Sequence, residues 1–431
     1  MKYYSLQNKS YQVSFREAVI AGLAPDKSLF FPENIPVFPP AFWQKIANRP
    51  LTEVAFDLIQ PFVGDDIPAA ALRNIVEETL NFPFPCVPVN DRIYSLELFH
   101  GPTLAFKDVG ARFMSRCLRY FNQESNQKVT VLVATSGDTG GAVAHGFLGV
   151  EGVQVVILYP KGMVSDIQER QLTTLGQNIS AIEVEGRFDD CQDMVKRAFL
   201  DADLTDLHLT SANSINVARW LPQMFYYIAV CQQLAVNNKE LIISCPSGNF
   251  GNSCAGLLLQ KMGAPIKLFV AATNINDTVP RFFEQGTYEP HTTQATLSNA
   301  MDVSNPSNFV RILELFNNDS TALKQKLRSF RFTDLETTDC MRKVYAESGY
   351  ICEPHGAVGY LGLQAVLAEY PESIGVFLET AHPVKFLETV EQTLDIQLPL
   401  PSSIAELLPL TKVKTPISDY ESLKKWLLAK L

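Results

Sequence analysis

No stretch of the chain offers the roughly eighteen consecutive apolar residues of a membrane-crossing helix. The opening Met1-Lys2-Tyr3-Tyr4-Ser5-Leu6 also lacks the apolar core of an export signal, so a soluble chain retained in the cytoplasm is expected. Cysteine is thinly spread: the eight never form a C-x-x-C pair, and the six histidines never form H-E-x-x-H. Neither a disulfide framework nor a metal site has support, and buried free thiols in a reducing compartment fit best. Positive charge is short too, with 36 Lys and Arg against 46 Asp and Glu, a formal −10. That argues against nucleic acid as a partner, because phosphate backbones are bound by basic surfaces. A small phosphorylated ligand stays open, since it needs only a local pocket of amides or cations. The dinucleotide pattern G-x-G-x-x-G and the Walker pattern G-x-x-x-x-G-K-[ST] are both missing from the Gly-rich loops described below, which disfavours NAD and nucleoside triphosphates.

What is present is a globular composition, 46% hydrophobic and 19% charged over 431 residues, long enough for two or three domains. Residues 1–92 are rich in Phe and Pro, as in Phe30-Phe31-Pro32 and Phe82-Pro83-Phe84-Pro85. Prolines that break regular elements so often predict a small helical N-terminal domain with extended connectors. From Asp91 to Phe99 the pattern is strand-like, and from Val109 to Phe121 it is helical. Short apolar runs then alternate with amphipathic segments. Strands are expected at Val129–Ala134, Val153–Tyr159, Ile179–Val184, Leu241–Ser244, Leu268–Ala271 and Gly375–Leu378, and one long helical stretch at Thr333–Tyr370. This spacing predicts βαβ units in parallel sheets, with a ligand crevice at the strands' carboxyl ends.

The chain centres on His100-Gly-Pro-Thr-Leu-Ala-Phe-Lys-Asp-Val-Gly110. Leu104, Ala105 and Phe106 lead straight into Lys107, a setting that penalises the ammonium form and favours a nucleophilic amine. Such lysines form Schiff bases with carbonyl compounds, including the aldehyde of pyridoxal phosphate. A lysine beside an aspartate is more often a surface ion pair, so the stretch alone does not decide. Two further loops follow strands and open helices. Ser136-Gly137-Asp138-Thr139-Gly140-Gly141 has amides and hydroxyls for an anion, and Ser247-Gly248-Asn249-Phe250-Gly251-Asn252 has glycines that let the backbone approach a phosphate. Each by itself also reads as an ordinary Gly-rich turn between strand and helix.

Taken in order, the lysine stretch, the Ser-Gly-Asp-Thr-Gly loop, the Ser-Gly-Asn-Phe-Gly-Asn loop and Glu353-Pro354-His355-Gly356-Ala357 resemble threonine synthases over essentially the whole chain. Gly22-Leu23-Ala24-Pro25-Asp26 extends the resemblance to the N-terminal domain. It implies the tryptophan-synthase-β-like α/β fold (fold type II): two αβα domains with open, mostly parallel sheets and pyridoxal 5'-phosphate between them. The expected partition is 1–92 for the N-terminal domain, 93–122 with 226–431 for the large domain, and 123–225 for the small one. By the same resemblance Lys107 bonds the cofactor, residues 248 to 252 (Gly248, Asn249, Phe250, Gly251 and Asn252) hold its phosphate, and Thr380 meets the pyridine nitrogen. On propensity alone Thr380 would cap the next helix. Asp138 is expected near the cofactor's 3-hydroxyl, with Ser136, Gly137, Asp138 and Thr139 around a substrate carboxylate. The leaving phosphate needs a second anion site, for which Asn213, Ser214, Asn216 and Arg219 are candidates, and Arg187 another. Arg219 could equally be a helix-surface ion pair. His100 and His355 read as supporting residues. The implied reaction turns O-phospho-L-homoserine and water into L-threonine and phosphate. Its rivals are a phospho-lyase or dehydratase of the same fold and a non-catalytic sensor that binds the cofactor or a phosphorylated metabolite. Similar enzymes are compatible with a monomer.

Overall fold

The computed structural model describes residues 1–125, 128–234 and 239–431. Its strands in chain order are β1 (Tyr3–Ser5), β2 (Gln12–Val13), β3 (Phe30–Pro32), β4 (Cys86–Pro88), β5 (Ile93–Glu97), β6 (Val129–Ala134), β7 (Val153–Pro160), β8 (Ile179–Val184), β9 (Leu209–Thr210), β10 (Leu241–Pro246), β11 (Ile266–Thr273), β12 (Leu327–Arg331), β13 (Ile374–Glu379) and β14 (Thr415–Ile417). They form three sheets, ordered β2-β1-β3, β12-β11-β10-β13-β5-β4 and β14-β8-β7-β6-β9.

The two large sheets are parallel except where β4 runs against β5. Their central strands are apolar on both faces because helices cover both sides. All six residues of β6, β10 and β13 are buried, at roughly 1.5–3 kcal/mol for each large aliphatic side chain removed from water. The parallel arrangement puts the carboxyl ends of β5, β6, β9, β10 and β13 on one side, and the lysine stretch, the two Gly-rich loops, the Asn213–Arg219 segment and Thr380 each follow one of these strands, whereas Glu353–Ala357 follows the helix Asp334–Ser348.

Three expectations change. The N-terminal segment is not simply helical: β1, β2 and β3 pair antiparallel, each too short to show a period of two. The stretch Thr333–Tyr370 is two helices, Asp334–Ser348 and Pro354–Leu367, parted at Gly349, whose φ of 73° ends the first. The C-terminal segment, grouped in the sequence with the large domain, sends β14 back to the edge of the second sheet beside β8. Lys414 anchors that return by bonding Glu169 and Glu183 at 2.8 and 2.5 Å. Among the described residues no helix is long and apolar enough to cross a membrane.

Candidate active site

Lys107 begins the helix Lys107–Ser125. The loop before it is locked from both ends. Thr103 donates its main-chain N–H and its hydroxyl to Asp108, at 2.9 and 2.5 Å, and Phe106 N–H donates to the Thr380 carbonyl at 2.8 Å. Leu104 is held at a φ of 56°, a conformation that costs a β-carbon-bearing residue energy and needs such locking. Lys107 consequently faces a cavity of about 1370 Å³ lined by both large sheets' loops. It is reached from the cavity but surrounded by protein. Burial lowers its pKa to about 8, countered by Asp138 and reinforced by Arg219 and Lys385. Asp108 is buried and pushed up to about 6 despite the bonds from Thr103.

Ser136, Asp138 and Thr139 line the opposite wall. Gly137 does not line it. Its φ of 143° turns the loop, and a Cβ there would stand 2.6 Å from the Gln168 side chain. Burial alone would raise the Asp138 carboxyl, but Lys385 and Lys107 hold it well below the usual carboxylate range. Lys385 Nζ is 2.7 Å from Asp138 Oδ1 and has no exposed surface. Gln168 donates to the same oxygen at 2.9 Å.

On the third side, Gly248 to Asn252 turn from β10 into the helix Gly251–Lys261. A Cβ on Gly248 would lie 2.7 Å from Met301 Cα, so the backbone is pressed against the turn at Asn299–Met301. Phe250 takes a left-handed φ of 59°. The Asn249 amide donates to Ser214 Oγ at 2.8 Å and its oxygen accepts from Ser307 N–H at 2.6 Å. The Asn252 side chain is consumed inside the loop, donating to the Pro246 carbonyl at 2.8 Å. The main-chain amides of Gly248, Asn249, Gly251 and Asn252 have no partner among the described residues, as expected where a helix begins.

Asn213, Ser214 and Arg219 line the cavity, as does Thr380. Arg219 is buried, bonded to the Ala212 carbonyl, with Nε unpartnered among the described residues. Burial lowers its pKa to about 10. Two candidates fall away. Asn216 is fully buried outside the cavity, its amide donating to the Val19 and Ser211 carbonyls at 2.8 and 3.2 Å and its oxygen capping Ala218. Arg187 is an exposed residue at the start of the helix Phe188–Leu200 and does not line the cavity.

The sequence did not disclose Lys385, Gln168 or Gln171, nor the support beneath the loops. Arg311, fully buried, donates to the carbonyls of Phe30, Ser214 and Ile215 and holds the Ser214 segment from below. His355 Nδ1 donates to Glu353 at 2.5 Å, leaving Nε2 to accept from Ala300 N–H at 3.2 Å, which fixes the turn behind Gly248. Lys385 had one cue, the apolar neighbours Val384 and Phe386, the same kind that marked Lys107.

The chemistry of this donor set fits an aldehyde-bearing phosphate ester. A buried amine of lowered proton affinity faces a cavity whose opposite end is a glycine cradle of free amides. A β-carbon at Gly248 would disturb that cradle.

Comparison with known proteins agrees. A family profile described as pyridoxal-phosphate dependent enzyme matches residues 83–379, and profiles for the threonine synthase N terminus and C-terminal region match residues 2–80 and 356–426. The chain is 47% identical to the threonine synthase of Serratia marcescens, over 99% of both chains. The crystal structure of threonine synthase from Escherichia coli superposes with a TM-score of 0.95 at 44% identity, covering 100% of both chains. The pyridoxal-phosphate-bound threonine synthase of Brucella melitensis gives 0.92 at 33% identity, covering 99% of this chain and 98% of that one.

Proposed function

The chain belongs to the threonine synthase family of pyridoxal-phosphate-dependent enzymes, and on that premise we propose that it converts O-phospho-L-homoserine and water to L-threonine and phosphate at the cavity around Lys107. In this reading Lys107 would bond the cofactor aldehyde, the amides of residues 248 to 252 would hold its phosphate, and the Thr380 hydroxyl and Asp138 would serve its ring nitrogen and 3-hydroxyl. When bound, the cofactor supplies an electron sink for negative charge developing on the substrate's carbons.

The protein's own part is proton transfer and anion binding. Lys107 Nζ, its pKa lowered to about 8 by burial, exists partly as free amine near neutral pH. Once the substrate's amino group has displaced it from the aldehyde, it would take the proton from Cα and then move one from Cβ. Phosphate leaves Cγ with the bonding pair and takes up one proton, Cγ gains another, water adds its hydroxyl at Cβ and gives up its proton, and Cα is finally reprotonated. The hydroxyl thus ends one carbon from where the phosphate began. Ser136 and Thr139 bind the substrate carboxylate, while Asn213, Ser214 and Arg219 bind the phosphate. Arg187 and Asn216 have no part in this assignment, since neither reaches the cavity. A hydroxyl at the ring nitrogen does not enforce its protonation, which restrains side reactions such as transamination.

We extend the proposal to a cytoplasmic monomer whose two large sheets are separate αβα domains around the site. The observation that carries the reading is Lys107 and the Gly248–Asn252 cradle facing one cavity between the sheets. The test is a product balance with cofactor and O-phospho-L-homoserine. Threonine equimolar with phosphate is expected. Phosphate accompanied by 2-oxobutyrate would make the protein a lyase, and no turnover by cofactor-loaded protein would favour a sensor.

A further inference from the structure

A lysine with no exposed surface stands 2.7 Å from Asp138 across the site from Lys107. Lys385 follows β13 of the six-stranded sheet, whereas Asp138 opens the helix after β6 of the five-stranded one. The ammonium has three neighbours: Asp138 Oδ1 at 2.7 Å, the Thr103 carbonyl at 2.9 Å and Gln171 Oε1 at 2.9 Å. Gln171 Nε2 donates to the same Thr103 carbonyl at 3.0 Å, which fixes its oxygen toward Lys385. All three neighbours are acceptors, so all three N–H bonds of a charged lysine are used and a neutral amine would lose one. Asp138 Oδ1 is likewise saturated, by Lys385 and Gln168. Its Oδ2 has no partner among the described residues, and Asp138 lines the cavity.

We propose that Lys385 is a positioning residue that keeps Asp138 ionised and turned so that Oδ2 faces the group bonded to Lys107. This rests on the cofactor reading above. A buried carboxylate without such a partner would take up a proton, and the edge it presents to the cavity would change from acceptor to donor. Lys385 also ties the lysine loop, through Thr103, to the second sheet. The other charged or titratable groups near the pair are Lys107 and Asp108 on the lysine helix, His145 on Asp138's own helix and His382 beside Lys385. Burial holds both histidines down to about 4, so they stay neutral at physiological pH. Asp108, pushed up to about 6, titrates in the same range and has to be separated by a control.

The experiment follows the visible absorbance of cofactor-loaded protein, and its melting temperature with and without cofactor, from pH 5 to 9. In Lys385→Met a new absorbance transition is expected between roughly pH 5 and 8. Its melting temperature should fall relative to wild type as pH rises, because the folded chain then holds a proton that the unfolded chain releases. Lys385→Arg should restore the wild-type profile, and Asp138→Asn/Lys385→Met should abolish the new transition while keeping that of Asp108. A Lys385→Met titration that superposes on wild type overturns the proposal. If Lys385→Met does not fold, the double variant decides: a folded double variant supports charge pairing, and one that also fails to fold shows that packing alone is at stake. Melting curves without cofactor separate the two readings, since the Lys385 effect on Asp138 persists there even if the protein proves not to be a synthase.

Discussion

Phe106 N–H donates to the Thr380 carbonyl at 2.8 Å, so the residue before Lys107 and the last turn of β13 share one frame. Tyr226 reinforces it by donating its hydroxyl to the Phe106 carbonyl. The Thr380 main chain is thus structural, and its side chain is free to act in the cavity. Thr380→Val keeps the main-chain bond and the side-chain volume. Cofactor should still bind, with altered absorbance, and kcat should fall about tenfold, the worth of one hydrogen bond. Wild-type absorbance and kcat would remove the hydroxyl from the ring-nitrogen role.

At Gly248 the limit is space. A Cβ would lie 2.7 Å from Met301 Cα and 3.0 Å from the Ala300 carbonyl, both backbone atoms of a turn pinned by His355. Overpacking of this kind costs about 1–3 kcal/mol, and here it falls on the loop whose amides form the cradle. Gly248→Ala should weaken cofactor binding about tenfold or more in an absorbance titration. An unchanged affinity would place the phosphate elsewhere.

Lys107 links the site to stability. Its pKa is lowered from 10.5 to about 8 by burial, so between these values the unfolded chain binds more protons than the folded one. Stability of the cofactor-free protein should therefore rise with pH across that window. Lys107→Met should melt higher than wild type at pH 7, by roughly a few degrees, and lose the advantage as pH approaches 10. Parallel melting profiles would mean that Lys107 is as well solvated folded as unfolded.

How much of this was legible in the sequence depends on what kind of interaction each residue makes. Strands β6 and β8 coincide with the apolar runs at Val129–Ala134 and Ile179–Val184, because a strand buried on both faces announces itself by composition. Lys107 and the two Gly-rich loops, which the structure brings to one cavity, stand out in the sequence because the chemistry proposed for them needs particular residues at neighbouring positions. Asn216 misled because a helix-capping asparagine and an anion-binding one look alike, and only the partner at Val19, far away in sequence, tells them apart. Arg187 misled because sequence does not say which way a side chain leaves a helix start. Lys385, Gln168 and Gln171 meet Asp138 and Thr103 only through the packing of two sheets.

The two candidate arginines differ in placement. Arg219 lines the cavity with Nε unpartnered among the described residues, whereas Arg187 is exposed and does not line it. Arg219→Met, which keeps much of the packing, should raise KM for the phosphorylated substrate about tenfold or more, the worth of a charged hydrogen bond, with the cofactor absorbance intact. Arg187→Ala should leave KM within about twofold, as for most surface changes. The reverse pattern in steady-state kinetics would move the phosphate site toward the Phe188–Leu200 helix.

Behind the site, Glu379 and Glu353 form a buried pair. Glu353 N–H donates to Glu379 Oε1 at 2.7 Å, while Glu353's own carboxylate accepts from His355 and Gly356. Glu379 Oε2 has no partner among the described residues, and a Cβ on Gly356 would stand 1.6 Å from it. Burial first, and then the nearby Glu353, push the Glu379 carboxyl well above its ordinary 4.5. A carboxyl with a higher pKa folded than unfolded gives stability that is fully present below the unfolded value and is lost as pH rises toward the folded one. Glu379→Gln keeps the acceptor at Oε1 and removes the ionisation. Its melting temperature should match wild type near pH 4.5 and exceed it by a margin that widens toward pH 8. A margin independent of pH would show that Glu379 is already ionised in the folded protein.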